Sequence, residues 1–201
     1  MEFDFSPEQK QLKEQVRRFL ADRCDRNAVR AVLDGPQSND TALWKGLGEL
    51  GYLGATIPEQ YGGLGLGYLE ACVIAEELGR AVAPVPFVSS IALAAEFLMV
   101  AGSAEQKERL LPRLASGAAV GTMALTEGTG QLTAQSISTR VERGGGKLTL
   151  TGTKVAVADG DVADFAVVAA VDSQARGDDA SGGHDISLFL VDLTGPGVTR
   201  T

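Results

Sequence analysis

Gly121-Thr122-Met123-Ala124-Leu125-Thr126-Glu127-Gly128-Thr129-Gly130 and Leu150-Thr151-Gly152-Thr153-Lys154-Val155-Ala156-Val157-Ala158-Asp159-Gly160 decide how this chain divides. The first stretch reads as a strand that ends in a glycine-rich loop with exposed backbone amides. The second reads as a strand returning close to it. Backbone N–H groups at such strand ends can bond the ring heteroatoms of a planar cofactor held edge-on. Upstream of residue 117 the pattern is helical, and downstream it is sheet. The expected fold class is therefore α+β. An N-terminal all-α helical bundle over residues 1–117 is followed by an antiparallel β-barrel or sandwich over residues 118–201.

Working back toward the N-terminus, Ser6-Pro7-Glu8-Gln9 carries the signs of a helix start, with Ser as N-cap, Pro at the first position and Gln closing a capping box. Leu12, Val16, Phe19 and Leu20 line one face of a helix running to about Cys24 or on to Leu33, ended by Asp34-Gly35-Pro36. A second helix starts near Asp40, turns Leu43, Trp44, Leu47 and Leu50 inward, and stops at Gly51. Gly62, Gly63, Gly65 and Gly67 mark an irregular loop with positive φ values. Tyr68–Leu78 is helical with Leu69, Val73, Ile74 and Leu78 inward. Phe87–Ala101 is apolar nearly all round, which predicts burial, with Glu96 as its one carboxylate. Ser103-Ala104-Glu105-Gln106 opens a further helix in which Pro112 predicts a kink or break.

Beyond residue 117, apolar or alternating runs recur at about 119–126, 136–143, 147–157, 163–171 and 185–192. Arg143-Gly144-Gly145-Gly146-Lys147 reads as a hairpin turn. Ser173 to His184 is polar and glycine-rich, a loop pattern, and Gly197 to Thr201 looks like the start of a strand. Arg140, Arg143 and Lys147 fit either a solvated hairpin tip or a phosphate contact.

The chain has 201 residues, 44% of them hydrophobic, enough for one large domain or two small ones with a real core. A net charge of −8 argues against nucleic acid and against an anionic membrane surface. No run approaches the length of a transmembrane helix, and Met-Glu-Phe-Asp-Phe is unlike a signal peptide, so a cytoplasmic protein is expected. Cys24 and Cys72 stand apart on helices and read as buried small hydrophobes in a reducing compartment. With His184 the lone histidine, in a loop, no metal site is expected.

The chain resembles the acyl-CoA dehydrogenase family along its whole length. The resemblance is carried by Ile57-Pro58-Glu59-Gln60-Tyr61-Gly62-Gly63-Leu64-Gly65, Ile74-Ala75-Glu76-Glu77-Leu78-Gly79, Ala101-Gly102-Ser103-Ala104-Glu105-Gln106-Lys107, Leu111-Pro112-Arg113-Leu114-Ala115-Ser116-Gly117 and Ala124-Leu125-Thr126-Glu127, in that order. It implies an N-terminal helical domain and a middle β-domain; the family's C-terminal helical domain has no counterpart in these 201 residues. It implies FAD as cofactor and an acyl-CoA thioester as substrate, dehydrogenated to the 2-enoyl-CoA with electrons passed to an electron-transfer flavoprotein. The flavin carries the hydride chemistry and the protein orients the reacting bonds. The catalytic base comes from the C-terminal part in the family, so no catalytic residue is assigned here. A homo- or heterotetramer is the implied assembly.

By position, the implied cofactor contacts are Met123, Leu125, Thr126, Leu132, Ala156 and Ala158, and the implied substrate contacts are Leu132 and Ser89. Several depart from the family pattern. Where the family has Pro-Gly-x-Gly-Ser-Asp, this chain has Gly128-Thr129-Gly130-Gln131-Leu132-Thr133, so Leu132 replaces the serine. Where the family has Lys-x-Trp-Ile-Thr-Asn-Gly, this chain has Lys154 to Gly160, with Ala156 for the Trp and Ala158 for the Thr. Losing the aromatic removes cofactor contact area. Losing the hydroxyl costs roughly 0.5–1.5 kcal/mol. Three readings follow: an acyl-CoA dehydrogenase polypeptide, a flavin-poor non-catalytic partner in a heteromeric dehydrogenase for steroid or other bulky CoA thioesters, or a flavin monooxygenase or oxidase on the same fold. The small residues Ser89, Ser90, Ala92, Ala94 and Ala95 fit either room for a bulky acyl group or close helix packing.

Overall fold

The structure is a computed structural model that describes residues 4–172 and 186–201. It comprises two compact units, Met1–Val120 and Gly121–Thr201. The loop and the histidine of Ser173–His184 lie outside the described residues.

In the first unit, α1 (Pro7–Arg23) begins with the expected Ser6–Gln9 capping box. It ends at Cys24, and Asp25 caps a separate helix α2 (Arg26–Leu33) by accepting from the Ala28 N–H. The single long helix allowed by the pattern is thus two, because Asp25 supplies a new N-terminus. Helix α3 (Thr41–Glu49) is capped by Asp40, and Gly51 (φ 78°) takes the left-handed conformation that ends it. Trp44 is buried in the core, as expected. The glycine-rich loop folds back through Leu64 N–H to Gly54 C=O and Gly65 N–H to Ile57 C=O, with Gly62 and Gly65 at positive φ.

Helix α4 (Tyr68–Arg80) runs beside α1 in the same direction, tied by Gln9–Glu70, Lys13–Glu76 and Arg17–Glu77. Its inward face is Val73, Ile74, Glu77 and Leu78. Leu69, expected inward, is half exposed, and Cys72, expected buried, is exposed, because each lies off that face. Val88–Ala95 is a π-helix that continues as α5 (Glu96–Ala101), so the apolar run is not one regular α-helix. It is not buried all round either: Val88 and Val100 are exposed. Glu96 is half-buried and accepts a hydrogen bond from the Tyr68 hydroxyl. Helix α6 (Ala104–Ala115) runs unbroken through Pro112, which sits in the last turns where only one intrahelical donor is lost.

The second unit is one sheet: β1 (Gly121–Ala124), β2 (Arg140–Gly144), β3 (Lys147–Thr151), β4 (Phe165–Val171) and β5 (Ile186–Asp192). The α+β order of a helical unit followed by a β unit is as expected, and the sheet is mixed where purely antiparallel pairing was expected. β4 pairs antiparallel with β5 along its whole length, and parallel with β1 and, at Arg140–Val171, with β2. The long crossover from β1 to β4 makes the parallel pairing possible. The predicted hairpin joins β2 and β3, with Gly145 (φ 58°) and Gly146 (φ 75°) at the two turn positions that require positive φ. Arg143 is committed to buried Asp172, whereas Arg140 and Lys147 are exposed. The expected strand at the C-terminus does not form; Arg200 instead donates to the carbonyls of Asp161 and Ala163.

Candidate functional site

β1 alternates as a half-buried strand must. Thr122 and Ala124 face the core, where Ala124 packs with Ala166 and Val168, while Met123 is half-buried on the other face. Past Ala124 the chain leaves the ladder, with Leu125, Thr126 and Glu127 half-buried. The returning stretch is not a strand, contrary to expectation: β3 ends at Thr151, and residues 152–164 are irregular. Gly152 packs so tightly that an added Cβ would lie 2.2 Å from Thr139 Oγ1, and Ala156 has a φ of 52°. Either feature interrupts a ladder.

The return nevertheless lies against β1. The Val155 N–H donates to Thr126 C=O at 2.8 Å, and Thr122 Oγ1 donates to Ala158 C=O at 2.6 Å. Met123, Leu125, Thr126, Ala156 and Ala158 are thereby brought together. Ala156 and Ala158 are exposed. Among the described residues nothing accepts from the N–H groups of Thr126, Ala156 or Ala158, nor bonds the Thr126 hydroxyl. Uncommitted donors at one place, two on exposed residues and one on half-buried Thr126, are what a heteroaromatic ring edge needs. Leu132 is 48% exposed in the loop after Gly130 and bonds to neither stretch. Ser89 belongs to the other unit, fully buried, with its hydroxyl on Pro86 C=O at 3.2 Å. Ser90, Ala94 and Ala95 are fully buried with it, which favours close packing for those small residues, while Ala92 is exposed.

Two charged residues given no role in the sequence reading hold this arrangement. Lys154 Nζ donates to Glu127 Oε1 at 2.6 Å and to Leu125 C=O at 3.1 Å, and the two side chains are 9% and 7% exposed. Glu127 also accepts from the Ser138 N–H and hydroxyl and from the Thr139 N–H. Burial raises the Glu127 pKa, but Lys154, Ser138 and Thr139 outweigh it and hold the carboxyl well below the usual carboxylate range. The one sequence sign of this pair was that Glu127 and Lys154 each belong to a quoted motif.

The backbone thus fits the polar edge of a flavin, since three N–H groups and a hydroxyl there have no partner among the described residues. The side chains give little cover, since exposed alanines occupy positions 156 and 158.

Residues 6–118 match the family profile described as "Acyl-CoA dehydrogenase, N-terminal domain", and residues 122–201 match "Acyl-CoA dehydrogenase, middle domain". The mitochondrial isovaleryl-CoA dehydrogenase of Solanum tuberosum is 34% identical over 190 residues, covering 94% of this chain and 45% of that protein. Among solved structures, a variant of the Tcur3481-Tcur3483 steroid ACAD is 34% identical with a TM-score of 0.80, covering 94% of this chain and 49% of that one. The ChsE4-ChsE5 complex from Mycobacterium tuberculosis matches at 30% identity and a TM-score of 0.84, covering 100% and 51%. A glutaryl-CoA dehydrogenase from Mycobacterium smegmatis in complex with FADH2 matches at 28% identity and a TM-score of 0.82, covering 96% and 47%. The chain spans about half the length of the relatives it matches. Two adjoining profiles covering nearly every residue, in the order the fold displays, show that the chain belongs to the acyl-CoA dehydrogenase family.

Proposed function

We propose that this chain forms the flavin-edge side of an acyl-CoA dehydrogenase site, acting in the FAD-dependent conversion of an acyl-CoA thioester to its 2-enoyl-CoA. The observation that carries this is the set of uncommitted donors at Thr126, Ala156 and Ala158, gathered on one short stretch of surface. The related glutaryl-CoA dehydrogenase complexed with FADH2 supports the choice of ligand. Bound FAD would supply the acceptor for the two electrons removed from the substrate. The Thr126 N–H and hydroxyl and the N–H groups of Ala156 and Ala158 would hold the polar edge of the ring. Met123 and Leu125 add half-buried apolar surface beside them. Leu132 is assigned to the cofactor and acyl side on its exposure. Ser89, whose hydroxyl donates to the Pro86 carbonyl inside the helical unit, is the acyl contact that the family resemblance implies by position. No residue of this chain is assigned as the base that takes the α-proton. An electron-transfer flavoprotein is the electron acceptor this reading requires.

A second reading has its own observation. The bare, exposed Ala156 and Ala158 leave a ring face uncovered, which suits a subunit that contributes architecture to a heteromeric dehydrogenase and binds flavin weakly. The matches to a steroid ACAD and to a two-component complex support that assembly and a bulky acyl group. The visible spectrum of the purified chain, alone and with any co-purifying subunit, separates the two. Stoichiometric flavin in the chain alone excludes the flavin-poor subunit. A colourless chain that co-purifies with a flavin-bearing homologue excludes the independent site. Bleaching of bound flavin by an acyl-CoA without oxygen consumption distinguishes a dehydrogenase from a monooxygenase.

A further inference from the structure

We propose that Lys154 is a positioning residue: by holding the Leu125 carbonyl it fixes the outward direction of the Thr126 N–H, and Glu127 holds Lys154 in place to do so. The Leu125 C=O and the Thr126 N–H belong to one peptide unit. Every described peptide is trans, so these two groups point in opposite directions. A buried ammonium on the carbonyl therefore turns the N–H away from the interior, and no acceptor among the described residues meets it there. The next peptide is fixed in the same way, because the Val155 N–H takes the Thr126 carbonyl. Three bonds thus cross from 154–155 to 125–127, and together they set the orientation of two consecutive peptides.

The anchor extends into the sheet. Glu127 is bonded by Ser138 and Thr139, and the Thr139 carbonyl accepts from the Val171 N–H at 2.7 Å, at the end of β4. A buried ion pair on its own is a weak stabiliser, since desolvation offsets much of its attraction. Here the pair bonds the main-chain carbonyl of the same peptide that carries the Thr126 donor, a place where orientation matters more than stability. The inference rests on the flavin reading above.

Titration of the purified chain with FAD, followed by flavin fluorescence, tests it. The comparison variant is Lys154→Met with Glu127→Gln, which removes both charges and leaves neither one orphaned. FAD binding should weaken by about tenfold, the value of one oriented hydrogen bond, while circular dichroism keeps the native spectrum. Lys154→Arg, which keeps the charge and a donor, should recover most of the affinity. A double variant that binds FAD as tightly as wild type overturns the inference and leaves the flavin reading standing. A wild-type chain that binds no FAD overturns the flavin reading and this inference with it. Hydrogen exchange of the wild-type Thr126 amide gives a second test that does not depend on a variant folding. The amide should be unprotected without FAD and protected with it; protection already present without FAD refutes the outward orientation.

Discussion

Glu77 offers a sharp test of what holds the helical unit. Its side chain is fully buried on α4 and accepts from Arg17 Nε at 3.0 Å, Arg17 Nη2 at 2.7 Å and Arg80 Nε at 2.8 Å. The Arg17 hydrogen bond leads in lowering its pKa; burial works against it, and Arg80 adds to the lowering, so the carboxyl titrates at about 2 against an ordinary 4.5. A pKa depressed in the folded state contributes stability that is complete above the unfolded pKa and is lost as pH falls through the folded one. The difference corresponds to about 3 kcal/mol at pH 7 and about 1.4 kcal/mol at pH 3. Glu77→Gln, which keeps the shape and removes the charge, should therefore cost about 3 kcal/mol near neutrality and less than half of that at pH 3. Arg17 and Arg80 are 50% and 49% exposed, so water takes over their charges and the cost stays at the low end for a broken buried pair. Urea unfolding followed by Trp44 fluorescence reads this unit specifically, because the chain's one tryptophan is buried in α3. Glu127, whose carboxyl is also held low, belongs to the other unit. An equal loss at pH 3 and pH 7 would refute the reasoning.

Gly63→Ala should destabilise the helical unit by roughly 3 kcal/mol or more, because the new Cβ would lie 1.9 Å from the Ile57 carbonyl oxygen and backbone cannot yield cheaply; the Trp44 unfolding curve measures it. Ser103→Ala should lower the stability of the same unit by about 1 kcal/mol through loss of the α6 capping box, and wild-type-like urea midpoints would count against that cap. Arg143→Met removes the guanidinium from buried Asp172 and should cost the sheet unit about 1–3 kcal/mol, read as a lowered melting temperature in the circular dichroism of the β signal.

The helical unit was legible because its signals are local. Ser6-Pro7-Glu8-Gln9 and Ser103-Ala104-Glu105-Gln106 fold into the capping boxes their residues announce, and Gly51 stops α3 through its positive φ. Burial by face was less so: Leu69 fits the helical period yet stays half exposed, since period gives a face and not the partner that covers it. In the sheet, the Arg143–Lys147 hairpin was readable because its glycines decide the turn. The parallel pairing of β1 with β4 was not, because its partners are separated by some forty residues and leave no local mark. The run over 147–157 suggested a longer β3, but Gly152 against Thr139 and the positive φ of Ala156 end it. The Glu127–Lys154 pair escaped notice for a different reason. The two residues lie 27 apart in sequence, in separate motifs, and only the fold brings them together, 9% and 7% exposed.

The failure of that strand to form is what leaves the candidate site open. Had residues 152–158 continued β3 as a ladder partner, their N–H groups would have been taken by a neighbouring strand. Instead the stretch is tied to β1 by the Thr122 hydroxyl on the Ala158 carbonyl, and to residues 125–127 beyond β1 by Lys154 and the Val155 N–H; among the described residues nothing takes the N–H groups of Ala156 and Ala158. A donor in an irregular segment, with no acceptor among the described residues, needs something else to fix its direction. At Thr126 the buried ammonium of Lys154 fills that role through the Leu125 carbonyl. The second unit thus keeps its regular strands for the core and its irregular return for donors, with one buried ion pair joining the two. Ala156→Gly probes the same logic: it eases a φ of 52° without changing any bond of Lys154, so it should leave FAD affinity within about twofold. A large loss would mean that the turn at Ala156, and not the Lys154 contact, aims the donors.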